Sequence, residues 1–333
     1  MTFAPQSVLV TGAGGFVGSH LVDDQLARGR RVVATDVNLS GLDHLRADER
    51  IQLAEVDLRS SAAMERLLEG VDCVFHLAAA HLDVLRGPAY FREVNVEASA
   101  RLAEMAYAAG VGRFIHCSSV SVYGPLSSWP VNEDSPCQPD IIYEQSKLEG
   151  ELAIRQVAET TGLRTVVIRP AWVYGPRCPR TEKLIRSIRQ RRFFFVGGGQ
   201  NQRHPIYVTD LVEAFNLAAS LDLAQCETFI IAGPEVVTVR ELVDAIVAEL
   251  GVDSRIPTFP KTLVWAGCLG MEAIGRVTGR EPPFSRRSLK FFTENSSYDI
   301  SRAKERLGFT PQTRLRDGLR ATLSQEHAAH ARS

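Results

Sequence analysis

The chain has 333 residues, 45% hydrophobic and 23% charged, which excludes a disordered polyelectrolyte and leaves ample material for a core. Its formal net charge of −1 supplies no global pull toward nucleic acid or membrane. The 6 cysteines form no Cys-x-x-Cys pair and the 8 histidines show no metal spacing, so reduced thiols in a cytoplasmic protein are expected and a metal site is not. Met1 to Gln6 run straight into the first apolar run, without the basic, apolar and cleavage regions of a signal peptide. In chain order, strands are predicted near 7–11, 31–36, 51–56, 72–77, 112–117 and 163–169, alternating with helical patterns. That alternation calls for an α/β fold with a doubly wound parallel sheet covered on both faces. A helix is predicted over 142–162. After Gly175-Pro176 the pattern is less regular, which suggests a smaller, mostly helical C-terminal lobe. The most apolar stretch there, Thr262 to Gly275, is too short to span a bilayer, which takes ~20 residues. It is expected to be a helix covering a pocket, with surface attachment as the alternative.

Ser7-Val-Leu-Val-Thr11 reads as a buried strand, and Gly12, Gly15 and Gly18 follow it into a helical pattern that ends at Gly29. Glycines there let the backbone turn sharply and approach a pyrophosphate, which sits at the positive end of the next helix. The spacing is Gly-x-x-Gly-x-x-Gly. Strand before and helix after is the context that separates a dinucleotide site from an ordinary tight turn. Asp36 ends the second strand, eighteen residues beyond Gly18. A carboxylate there accepts both ribose hydroxyls of NAD and repels the extra phosphate of NADP, so NAD is the expected cofactor. Asp57 reads equally as a holder of the adenine edge or as the N-cap of a helix over 60–69.

Tyr143 and Lys147 stand four apart in Tyr-Glu-Gln-Ser-Lys, downstream of Ser118-Ser119. Residues four apart share a helix face, so the Lys147 ammonium sits beside the Tyr143 phenol. A free phenol titrates near pH ~10, and lowering it to about 7 needs about 4 kcal/mol of differential stabilisation of the phenolate. A partly desolvated cation, with the charge of an oxidised nicotinamide, supplies stabilisation of that kind. The tuned phenol takes the proton of a substrate hydroxyl while its carbon gives up hydride. Taken alone, the five residues describe any amphipathic helix; joined to the glycines and Ser119, they describe an alcohol–ketone redox site.

With these motifs the chain resembles the extended short-chain dehydrogenase/reductase superfamily along nearly its whole length. Further matching strings are His76-Leu-Ala-Ala-Ala80, Asn95-Val96, Ser118 to Gly124, Arg169 to Pro176, His204 to Asp210 and Tyr298 to Gly308. The resemblance implies a Rossmann-type NAD-binding domain over 1–175, with a return near 206–232, and a substrate-binding lobe over 176–330. It implies that Ser119, Tyr143 and Lys147 are catalytic, with Asn95 in support. Gly12, Gly15, Phe16, Val17, Gly18, Asp36, Asp57, Leu58, Leu77, Ala78, Ala79 and Pro170 are expected on the cofactor, together with Tyr143 and Lys147. Ser119, Ser121, Trp172, Arg177 and Arg203 are expected on a small-molecule substrate. No nucleic acid and no membrane span are expected, and a homodimer is compatible with the sequence.

Two substrate classes compete. Arg203-His-Pro-Ile-Tyr-Val208 resembles the string whose arginine holds the diphosphate in nucleotide-sugar epimerases, and arginine's planar fork suits phosphate. The cations from Arg177 to Arg192 drift round a helix and read mostly as a solvated face. The apolar 262–275 helix, Arg280 to Phe284 and Phe291-Phe292 instead resemble the 3β-hydroxysteroid dehydrogenase branch, which takes a bulky apolar alcohol, and Trp172 departs from the sugar pattern, its indole suiting an apolar ligand or packing alone. The arginine that usually helps to grip the sugar nucleotide is absent from its usual string; Arg286 or Arg287 is the expected substitute. Dehydratase chemistry is disfavoured, because Val120-Ser121 replaces the acidic pair that carries protons in those enzymes. A non-catalytic NAD sensor is a remote alternative, since Tyr143 and Lys147 are both retained. The nucleotide-sugar reading is preferred.

Overall fold

The apolar runs that open the chain become the centre of a sheet. In the computed structural model, which describes residues 3–81, 86–125, 128–222, 225–252, 255–278 and 286–330, seven strands pair in parallel. They are β1 (Ser7–Thr11), β2 (Arg31–Asp36), β3 (Ile51–Glu55), β4 (Cys73–His76), β5 (Arg113–Cys117), β6 (Thr165–Pro170) and β7 (Glu227–Ile231). Their order is β3-β2-β1-β4-β5-β6-β7, the doubly wound arrangement of a Rossmann-type sheet. Every residue of β1, β6 and β7 is buried, as expected for strands covered on both faces. The helices are α1 (Phe16–Ala27), α2 (Ser61–Leu67), α3 (Pro88–Arg92), α4 (Ser99–Ala108), α5 (Ile142–Thr161) and α6 (Pro179–Arg189). They continue with α7 (Val208–Ser220), α8 (Val239–Leu250), α9 (Lys261–Thr278), α10 (Arg286–Thr293), α11 (Ser301–Arg306) and α12 (Leu315–His330).

The chain divides into two compact units. The first comprises Met1–Ala171, Val208–Ala232 and Asp299–Pro311. One face of its sheet meets α2, α4 and α5 through Met64, Leu102, Phe114 and Ile154. On the other face Phe215 of α7 sits edge-on to Phe75, with ring centres 6.3 Å apart. Helices α1 and α7 are joined by polar pairs: Gln25 Nε2 donates to Asn216 Oδ1 (2.9 Å), and Asn216 Nδ2 donates to Asp24 Oδ2 (2.8 Å). Helix α5 stops at Gly162, whose left-handed φ of 86° lets its N–H return to the Ala158 carbonyl.

The second unit comprises Trp172–Tyr207, Gly233–Tyr298 and Gln312–Ser333. Its core gathers Tyr174, Ile185, Phe195, Leu242 and Leu319. Helix α8 starts with a reciprocal capping box between Thr238 and Glu241 and ends at left-handed Gly251. Helix α6 buries Thr181, Ile185 and Ile188, while Arg180, Lys183, Arg186 and Arg189 face solvent. The stretch expected to cover a pocket is α9, and Leu263, Trp265 and Leu269 on it are exposed instead. Among the described residues, no helix is long and apolar enough to cross a membrane.

Candidate active site

The strand order reverses between β1 and β4, and open α/β sheets place ligands at the carboxyl ends of strands at such a point. A cleft lies there, lined by Thr11, Gly12, Gly15, Asp36, Asp57, Leu58 and the segment Leu77 to Ala80, among others. Gly12 has φ +70°, and a Cβ on it would lie 2.6 Å from the Ala78 backbone nitrogen. Gly18 seats α1 on this turn, where a Cβ would stand 2.0 Å from the Gly12 carbonyl oxygen. Helix α1 begins after Gly15 without a side-chain cap and without an acidic residue in its first turn, which leaves its first N–H groups available to an anion. Phe16 and Val17 belong to that first turn and are half-buried; they do not line the cleft. Pro170 is buried at the end of β6.

Asp36 is oriented by backbone donors. Its Oδ2 accepts the Gly14 N–H (3.1 Å), and its Oδ1 accepts the N–H of Val37 (2.7 Å) and Asn38 (3.3 Å). Burial raises its pKa above the ordinary carboxylate value, and these donors offset part of that rise. Asp57 does not cap a helix: α2 begins after Ser60, and the Asp57 carboxylate accepts the Arg59 N–H at 2.9 Å and pairs with the Arg59 guanidinium. That side-chain bond to Arg59 holds its pKa low. Thr11 links the turn to β4: its hydroxyl oxygen accepts the Ala78 N–H (3.2 Å) and lies 2.8 Å from His76 Nδ1. His76 Nε2 lies 2.9 Å from Ser99 Oγ, which itself donates to the Val94 carbonyl. This donor order requires a neutral His76 with its proton on Nε2. Burial, with the Lys147 charge added, pushes His76 down to about 3.

Ser119 follows β5 and caps a short 3₁₀ turn, Val120–Tyr123, by accepting the Ser121 N–H on its Oγ at 3.1 Å. Tyr143 and Lys147 lie one turn apart on α5, and Lys147 Nζ donates to the Cys117 carbonyl at 2.7 Å. The lysine is thereby tied to the strand end two residues before Ser119. Burial lowers its pKa, opposed by Cys117 and Glu151. Asn95 lies in a π-helical segment, Glu93–Ala98, a form often found at functional sites. Its Oδ1 accepts the Ala80 N–H (2.7 Å) and its Nδ2 donates to Ser146 Oγ (2.9 Å), while Ser146 donates to the Tyr143 carbonyl (2.8 Å). Gly150 lets α5 press against this segment, since a Cβ there would stand 2.0 Å from the Asn95 carbonyl oxygen. Arg169 completes the clamp. Its guanidinium grips Glu151 of α5 with two bonds (3.0 and 2.6 Å) and donates to the Tyr123 hydroxyl (2.7 Å). Sequence reasoning passed over Glu151, Arg169 and Gly14; only the presence of Arg169 and Tyr123 inside matching strings signalled them.

The model of the NAD dependent epimerase/dehydratase family matches residues 8–232, more than half of the chain. The chain belongs to this family. A UDP-glucose 4-epimerase of Mycolicibacterium smegmatis is 32% identical, with 95% of this chain and 96% of that protein covered. A 3beta-hydroxysteroid-dehydrogenase/decarboxylase of Arabidopsis thaliana is 26% identical over 95% of this chain and 78% of that protein. The crystal structure of a UDP-glucose 4-epimerase with UDP-glucose from Thermotoga maritima superposes with a TM-score of 0.80 at 26% identity, covering 97% of this chain and 99% of that one. The protein is thus an NAD-dependent enzyme of the extended short-chain dehydrogenase/reductase type.

The residues present fit the family's cofactor. The space beside Gly12 would be closed by any Cβ, and the half-buried carboxylate of Asp36 stands at the end of β2. In the second unit Trp172 stacks on Tyr174 (ring centres 6.0 Å apart) and meets Phe291 edge-on (5.5 Å). Arg177 is exposed with a left-handed φ of 64°. Arg203 is buried and already engaged. It donates to the Phe291 carbonyl (3.0 Å), the Lys290 carbonyl (2.9 Å) and Ser296 Oγ (3.0 Å), and lies over the Phe291 ring. Burial pushes it down to about 10, so it keeps its charge at neutral pH. The expected bidentate fork toward a diphosphate is therefore occupied by the last turn of α10. Ser121 Oγ is buried without a hydrogen-bond partner among the described residues. Arg280 to Phe284 lie outside the described residues, as do the side chains of Arg286 and Arg287.

Proposed function

We propose that the protein is an NAD-dependent oxidoreductase of secondary alcohols, and that its substrate is a nucleotide sugar handled as by a 4-epimerase. In this reading the first unit holds NAD at the β1–β4 switch, and the second unit recognises the substrate. The supporting observation is the shared anchoring of α5 and the Ser119 turn. Lys147 bonds to the Cys117 carbonyl, and the Arg169–Glu151–Tyr123 network ties the same helix to the same turn. Such over-determined support holds a proton carrier and a hydroxyl donor in fixed geometry.

NAD, when bound, supplies a hydride acceptor and donor. The chain's own residues do the rest. The Tyr143 phenol takes the proton of the substrate hydroxyl and later returns it. Ser119 Oγ holds the same oxygen, and the buried Lys147 ammonium favours the deprotonated phenol. Asn95 and Ser146 fix the backbone of the Tyr143 turn. Asp36 accepts the ribose hydroxyls, and Gly12 leaves room for the backbone to approach the pyrophosphate.

The substrate class is tested by thermal shift on the NAD-loaded protein. Linkage predicts that UDP or TDP raises the melting temperature. A saturable shift with a sterol or long-chain ketone, and none with any nucleoside diphosphate, overturns the sugar reading. The second reading has one observation behind it: Trp172 and Phe291 pack as half-buried aromatic rings against the buried Tyr174, an apolar environment of the kind a bulky alcohol would need.

A further inference from the structure

Between Lys261 and Met271, helix α9 buries side chains on one narrow stripe. Cys268 is fully buried and Val264 and Met271 are half-buried, at the i, i+4, i+7 spacing of a single helical face. The remainder of the helix from Thr262 to Gly270 would ordinarily be polar. It carries Leu263 (61% exposed), Trp265 (49%) and Leu269 (37%), together with exposed Ala266, Gly267 and Gly270. Just before the helix, Phe259 is 40% exposed on a two-stranded parallel ribbon, where Thr258–Phe259 pairs with Phe195–Val196.

The charges on the segment that leads into this face are basic, and Glu272 is the first acidic residue after it. From Arg255 to Met271 the sequence contains no Asp or Glu. Arg192 and Arg255 each stand three residues before their strand of the parallel ribbon, hence at the same end, and both are exposed. Lys261 is exposed in the first turn of α9, where no acidic residue accompanies it. A cation at a helix N-terminus opposes the helix dipole, so its place is not explained by helix stability.

We propose that this face docks on an anionic lipid surface. Trp265, Leu263, Leu269 and Phe259 enter the headgroup region while Arg192, Arg255 and Lys261 meet the phosphates. An exposed tryptophan beside leucines suits the boundary between apolar chains and water, and basic residues beside it supply the electrostatic attraction. A second copy of the chain would equally cover the leucines, but it would bring like charges together around them. The inference concerns attachment and stands apart from the substrate reading.

The test is co-sedimentation of the full chain, loaded with NAD, with vesicles of phosphatidylcholine alone and vesicles rich in phosphatidylglycerol. Binding to the anionic vesicles is expected, weakened by salt, with a blue shift in tryptophan emission that Trp265→Ser removes. The double variant Leu263→Ser/Trp265→Ser is expected to lose at least about tenfold in vesicle affinity. Arg192→Ala and Arg255→Ala are each expected to lose about fivefold, the equivalent of ~1 kcal/mol per basic residue. The charge variants leave the apolar face intact and serve if the double variant fails to fold; NAD affinity reports folding in every case. No binding to anionic vesicles overturns the proposal, as does binding unchanged in all four variants. A dimer in sedimentation velocity that Leu263→Ser/Trp265→Ser dissociates also overturns it, assigning the face to a second copy.

Discussion

Asp36 combines two demands in one carboxylate. In the proposed role it accepts ribose hydroxyls best when ionised, yet burial raises its pKa. NAD should bind at least about tenfold tighter than NADP, a difference on the order of 1.4 kcal/mol, and Asp36→Ala should remove that preference. Because the folded pKa is raised, NAD affinity should begin to fall on acidification at a higher pH than that of a free aspartate, ~3.9. Titrations of both cofactors at descending pH check both statements; affinity that holds down to the ordinary carboxylate range contradicts the second. Arg203 has a structural role beside the substrate role expected of it, through its bonds to Phe291, Lys290 and Ser296. If its main role is to hold the last turn of α10, Arg203→Ala should destabilise the protein without ligand by about 1–3 kcal/mol, since it leaves buried carbonyls unpaired. An unchanged melting temperature with lost UDP binding would restore the diphosphate role.

Helix α5 is where single residues become an element. It is fixed by Lys147 to β5, by Gly150 to the π-helical segment, and by Glu151 to Arg169 on β6. Glu151 and Arg169 are both nearly fully buried, so removing Arg169 leaves the Glu151 carboxylate only its longer contact with the half-buried Arg155 (3.3 Å). Arg169→Met should cost about 3–5 kcal/mol, and the double variant Arg169→Met/Glu151→Leu should recover much of that loss. Urea unfolding of the three proteins decides it; a double variant less stable than the single one contradicts this account. The helix itself was legible in the sequence, because its apolar spacing and the closing Gly162 are local signals. The clamp was not, because Glu151, Arg169 and Tyr123 come from three elements and their pairing exists only in the folded chain. Of the two readings of Asp57, the N-cap fails for a related reason: capping depends on where the helix starts, and Ser60 rather than Asp57 stands at that point. The apolar character of helix α9 was legible too, but not which of its residues face solvent: Leu263 and Trp265 are exposed while Cys268 is buried.

Across the molecule, the parallel sheet was legible because short, mostly apolar runs alternate with helical patterns, whereas the strand order depends on pairings between distant segments that no local signal carries. The internal histidines have a consequence for the whole fold. His76 and His116 face each other across β4 and β5, with ring centres 5.3 Å apart, and burial holds both pKa values far below the ordinary histidine range. The unfolded chain takes up these protons near pH ~6.5 and the folded chain does not, so stability is full above that value. It declines as the pH falls from there toward about 3, where folded His76 titrates. Each histidine adds a slope of at most about 1.4 kcal/mol per pH unit. His116→Leu should flatten the curve of urea midpoint against pH between those limits; an unchanged slope would contradict the assignment.

In the proposed reaction Tyr143 moves the proton of a sugar nucleotide's hydroxyl while NAD exchanges the hydride. The direct measurement is turnover of UDP- and TDP-sugars by the NAD-loaded protein, followed by nuclear magnetic resonance of the product sugars, for the wild type and for Tyr143→Phe. The account predicts epimerised sugar from the wild type, a loss of about 10²-fold or more in Tyr143→Phe, and NAD affinity largely unchanged. Near-normal turnover in Tyr143→Phe would contradict it.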